Sequence, residues 1–66
     1  MHSNLKAEMA RQDLTAKDIA RAIGKTEKSA RDKISGKREF TYNETCRIRD
    51  AFFPGTRIEE LFAKGQ

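Results

Sequence analysis

Five side chains between positions 27 and 35 could do chemistry together. Glu27, Lys28, Arg31, Asp32 and Ser35 recur at i, i+1, i+4, i+5 and i+8. On a helix that spacing is one continuous polar stripe, opposite Ala30 and Ile34. Its chemistry is hydrogen bonding to a flat, patterned polar surface. Lysine and arginine donate to guanine N7 and O6, and a carboxylate accepts from cytosine N4. Glu27, Lys28, Arg31 and Asp32 are therefore candidate base-reading residues. The same stripe has a plainer reading, a solvated face laced by Glu27–Arg31 and Lys28–Asp32 pairs at i, i+4. The residues in front of the stripe decide between the two.

Candidate phosphate contacts surround it: Lys17, Lys25, Thr26, Ser29, Lys37 and Arg38. Phosphate contacts fix register and supply affinity, and a helix N-terminus adds backbone N–H donors. The charge distribution agrees. Positions 17–38 hold eight basic and three acidic residues, a net of +5. The remainder holds six basic and seven acidic, a net of −1 within a whole-chain charge of +4. The excess lies on the stripe and its flanks, which points to a polyanionic partner.

The elements that must position these groups are two short helices over positions 15–36, broken by one glycine. Thr15 caps the first and Asp18 completes a capping box. Ile19, Ala20 and Ile23 form its inner face, and Gly24 ends it. Ala20 sits four residues before Gly24, the spacing of a helix-turn-helix. The first helix needs a small residue where the second crosses it, and the turn needs one that tolerates positive φ. Thr26 caps the second helix, Ala30 and Ile34 point inward, and Gly36 stops it. Such a second helix can project into a DNA major groove.

Three further helices complete an all-α reading. The first spans about 4–11, with Ser3 or Asn4 as N-cap and Leu5 and Met9 on one face. Thr41 and Glu44 make a second capping box and open helix four, with Tyr42, Thr45 or Cys46, and Phe52 on one face and Ile48 near it. Phe53-Pro54-Gly55 breaks that helix. Thr56 and Glu59 make a third box and open a short fifth helix. The expected core is Leu5, Met9, Leu14, Ile19, Ala20, Ile23, Ala30, Ile34, Phe40, Phe52, Ile58, Leu61 and Phe62. No segment alternates long enough for a strand. The chain of 66 residues reads as one domain, 1–66.

Composition excludes several classes. The longest apolar run is three residues, positions 51–53, so neither a signal peptide nor a membrane span is expected. Cys46 is the single cysteine, which fits a reducing cytoplasm. His2 is the only histidine, and no Cys/His spacing suits a metal. With no glycine-rich phosphate loop or nucleophile–base set, neither an enzyme nor a cofactor or small-molecule substrate is expected.

The chain resembles the lambda-repressor-like (Cro-type, Xre-family) helix-turn-helix domain. The resemblance is carried by Leu14-Thr15, Ile19-Ala20, Ile23-Gly24, Gly36-Lys37-Arg38, Phe40-Thr41 and Ile58-Glu59-Glu60-Leu61-Phe62. It is closest to short phage-type members with Gly-Lys-Arg-x-Phe-Thr after helix three. It implies a compact five-helix fold and a bacterial or phage repressor reading double-stranded DNA in the major groove. The base-reading residues it implies are again Glu27, Lys28, Arg31 and Asp32. Ala16 stands where the family usually has a phosphate-bracing Gln. Lys25, Ala30 and Lys33 stand where branched apolar residues are usual, which implies thinner packing between helices two and three. Arg49 replaces a small residue, implying partial burial or an interface.

One small module makes few base contacts, so a homodimer on DNA is expected. Its expected interface is Phe53, Pro54, Gly55 and Arg57. For Phe53 the alternative is closing the core under helix five. The competing function is a protein-interaction module on the same scaffold.

Overall fold

A computed structural model describes residues 3–63, with side chains from Asn4 onward. Five helices follow in order: α1 (Ser3–Gln12), α2 (Ala16–Ile23), α3 (Glu27–Ser35), α4 (Tyr42–Phe52) and α5 (Ile58–Leu61). No strand occurs among the described residues.

Local chemistry sets most of the helix ends. Thr15 accepts from the Asp18 N–H while Asp18 accepts from the Thr15 N–H, a closed capping box. Thr41 and Glu44 repeat it at α4. Thr26 accepts from the Ser29 N–H at the start of α3. Gly24 ends α2 at φ +69° and Gly36 ends α3 at φ +97°. Asp13 takes the same left-handed conformation after α1, at φ +58°. At all three ends the next N–H reaches back five residues: Leu14 to Met9 (2.8 Å), Lys25 to Ala20 (3.0 Å) and Lys37 to Asp32 (2.9 Å).

The third box does not form. The Thr56 N–H donates to the Phe53 carbonyl at 2.9 Å, closing a turn over Pro54-Gly55. That turn delays α5 to Ile58, so its N-cap is Arg57, with no side-chain cap bond. Asn4 lies inside α1 rather than capping it, and its Nδ2 donates to the Glu60 carbonyl at 2.7 Å. The side chain of Ser3, the other candidate cap, lies outside the described residues.

The core is Leu5, Met9, Ile19, Ala20, Ile23, Ala30, Ile34, Ile48, Phe53 and Leu61. α2 packs chiefly on α3 and α4, while α5 closes on α1 and α4. Leu14, Phe40, Phe52 and Phe62 pack on this core half-buried, and Ile58 is also only partly covered. Phe40 and Phe62 meet edge to face at 5.2 Å. On α4 the inner face is Glu44, Thr45 and Ile48, so Tyr42 points out at 73% exposure. Ile48, expected only near that face, is fully buried.

Gly24 has open space where a Cβ would sit, so its constraint is the backbone conformation alone. We expect Gly24→Val to cost about 2–3 kcal/mol, because a β-branched residue resists positive φ. For a domain this small that lowers the melting temperature by on the order of 10 °C. Gly24→Asn should cost less, since Asn tolerates this region. Equal melting of Gly24→Val and the parent would contradict the assignment.

Candidate nucleic-acid interface

α3 is fixed from below and free above. Ala30 and Ile34 anchor it in the core, while Glu27, Lys28, Arg31 and Ser35 are exposed and Asp32 is half-covered. The base-reading candidates therefore share one outward face. Both expected pairs are present on it. Arg31 Nη2 bonds Glu27 Oε2, and Lys28 Nζ lies 3.8 Å from Asp32 Oδ2. Such exposed i, i+4 pairs are worth about 0.3–0.5 kcal/mol, little against a new base contact.

Four of the six phosphate candidates converge. Lys25, Thr26, Ser29 and Arg38 line one recess of about 490 Å³, together with Lys33 and Glu39. Lys25 and Thr26 come from the turn before α3, Ser29 from its first turns, and Arg38 from the loop held by N–H bonds to the Asp32 carbonyl. Lys17, in the first turn of α2, and Lys37, beside Arg38, are exposed outside the recess. Thr26 keeps a hydroxyl hydrogen to donate while its oxygen caps α3.

Lys33, unlike the neighbouring lysines, does not face solvent. It is buried, and its Nζ donates to both carboxylate oxygens of buried Glu44, at 2.7 and 2.6 Å. Burial pushes the Glu44 carboxyl up, but the Lys33 bond, the Thr41 N–H, and the charges of Lys33 and Lys25 outweigh it and hold the group below its ordinary value. The pair ties α3 to the N-terminus of α4 through a lysine that stands where a branched apolar residue is usual. Its signal was present in the sequence. Position 33 follows Ala30 by three, and position 44 precedes Ile48 by four, so opposite charges occupy two inner faces.

Phe53 is corrected. At 3% exposure it is core, not surface. Its φ of −135° at the end of α4 turns the ring under, where it meets Phe52 edge to face at 6.2 Å. Pro54, Gly55 and Arg57 remain exposed. Arg49 is half-buried and pairs with Asp50 at 2.8 Å. Cys46 is half-buried and free. Among the described residues no helix is long and apolar enough to cross a membrane, and no three metal-binding side chains converge.

Comparison with family models, curated proteins and solved structures finds no match to this chain. The fold and the site thus define, on their own geometry, a small all-helical domain with an exposed polar helix flanked by cations.

Proposed function

We propose that this protein is a sequence-specific double-stranded DNA-binding regulator, a repressor of the lambda-repressor-like, Cro-type kind, acting in a bacterial cytoplasm. The observation that carries the reading is the joint placement of α3 and its flanks. The helix after a left-handed glycine turn presents Glu27, Lys28, Arg31 and Asp32 outward, and Lys25, Thr26, Ser29 and Arg38 gather beside its N-terminus. In this reading α2 and α3 form a helix-turn-helix. α3 enters the major groove, Lys28 and Arg31 donate to guanines, and Glu27 and Asp32 set their register or accept from cytosines. The recess and Lys17 and Lys37 hold the backbone.

The protein acts as a dimer in this reading. Its extents of 25 × 25 × 23 Å are shorter than the roughly 34 Å between successive major grooves on one face, so two copies fit side by side. With Phe53 committed to the core, the contact uses Pro54, Gly55 and Arg57. Selection of bound sites from random duplexes tests the reading. Enrichment of a two-fold motif with half-sites one helical turn apart is expected, and recovery of no motif would count against it.

One observation favours a second reading, a protein-interaction module. The pairing of Arg31 with Glu27 and Lys28 with Asp32 leaves the α3 face mixed in charge. A module of that kind would leave random DNA and heparin at low salt.

A further inference from the structure

A buried ion pair adds little stability over apolar packing of the same volume. Lys33 and Glu44 are 8% and 6% exposed, at inner-face positions that two apolar side chains could fill. What such a pair supplies instead is direction. Apolar contacts are non-directional, whereas two charge-assisted hydrogen bonds hold their partners in one geometry.

Here that geometry is closed at both ends. Lys33 Nζ donates to Glu44 Oε1 at 2.7 Å and to Oε2 at 2.6 Å. Glu44 Oε1 also accepts from the Thr41 N–H at 2.9 Å, so the carboxylate is itself fixed to the backbone at the start of α4. Little else sets the roll of α3 about its own axis. The helix packs chiefly on α2, and its buried side chains are Ala30, Lys33 and Ile34. Ala30 offers a single methyl group. Ala30 and Ile34 decide which face turns inward, and Lys33 ties that face to a second helix. The base-reading candidates Lys28 and Arg31 ride on the same helix. A roll of about 15° moves a side-chain tip at the outer radius of a helix by about 1.5 Å. A recognition constellation tolerates only about 0.5 Å.

We propose that Lys33 and Glu44 are positioning residues, whose pair sets the roll of α3 and thereby aims Lys28 and Arg31 at the bases. Both are buried, so they act through α3 and not by reading bases themselves. The consequence for base reading rests on the DNA-binding reading; the orientation of α3 does not.

Two variants test it. Lys33→Met with Glu44→Leu replaces the pair by apolar packing, and Lys33→Met with Glu44→Gln keeps an acceptor for the Thr41 N–H. Circular dichroism reports which of them fold, and one is enough. Failure of both to fold would overturn the proposal, since the pair would then be needed for the fold itself. Residual dipolar couplings of the α3 amides, referred to those of α2 and α4, report helix orientation without DNA. A folded variant should show altered or reduced α3 couplings, with those of α2 and α4 as in the parent. Identical couplings throughout would overturn the proposal. In a second arm the parent and variants are titrated against a selected duplex and its scrambled counterpart across a salt series. The preference for the selected duplex should fall roughly tenfold or more, the worth of about one base contact. Affinity for the scrambled duplex and its salt slope should stay as in the parent, because each variant removes one charge of each sign. A role in stability alone would leave the preference intact in any variant that folds. Retained preference despite altered couplings would overturn the aiming of Lys28 and Arg31 alone. If the parent bound no duplex, the DNA reading would fail while the couplings still decided what the pair does to α3.

Discussion

Glu44→Gln should unfold a large share of the molecules at physiological temperature. The substitution keeps the shape and can still accept from the Thr41 N–H, so it isolates the charge. It leaves Lys33 buried without its anion. Breaking a buried pair this way costs about 3–5 kcal/mol. A domain of 66 residues has a total stability of only roughly 3–10 kcal/mol. Chemical denaturation is the measurement. The double variant Lys33→Met with Glu44→Leu should recover most of the loss, because apolar residues of similar volume replace a buried pair at little or no cost. The pH dependence carries a sign. The Glu44 carboxyl is held below its ordinary value in the fold, so its contribution is complete above the ordinary glutamate range. It is lost as pH falls through the folded value. The parent should therefore lose more stability on acidification than Glu44→Gln does. Parallel pH profiles would contradict this account of the pair.

Duplex affinity should fall roughly 10²–10³-fold for each bound subunit between 50 and 200 mM salt, and by the square of that for the dimer. That follows if about four to six phosphates per subunit are neutralised, each contributing a slope near −0.9 in log K against log salt. Four exposed cations, Lys17, Lys25, Lys37 and Arg38, supply the lower end of that range, and Thr26 and Ser29 add uncharged hydrogen bonds that leave the slope unchanged. Lys37→Ala or Arg38→Ala should weaken binding to all duplexes alike and make the slope shallower by about one per bound subunit. Both sit in the loop after α3, off its outward face, so neither is placed to read bases. A change in sequence preference on either substitution would move that loop into the reading surface.

What was legible in the sequence was whatever a few neighbouring residues decide. Thr15 with Asp18, Thr41 with Glu44, Thr26, Gly24 and Gly36 each act within one turn of chain, and each end formed as expected. Thr56 with Glu59 had the same spacing and failed, because the turn from Phe53 to Thr56 took up the N–H and moved the start of α5. Long-range choices were hidden for the same reason. Whether Phe52 or Phe53 fills the core depends on where the backbone leaves α4, and Phe53 won. The Lys33–Glu44 pair joins residues eleven apart on different helices; spacing put each on an inner face, but lysine and glutamate ordinarily read as outward, and the spacing does not say that the two meet. The outward face of α3 was legible because Ala30 and Ile34 fix its phase.

Titration of the parent and Arg31→Ala against a selected duplex and its scrambled counterpart, at one fixed salt concentration, tests the central claim most directly. Arg31 is exposed, so the fold survives its loss. The account predicts that the parent prefers the selected duplex. It predicts that Arg31→Ala loses roughly 1–3 kcal/mol on that duplex and little on the scrambled one. Equal losses on both would make Arg31 a phosphate contact, and a parent protein with no preference for any duplex would contradict the account.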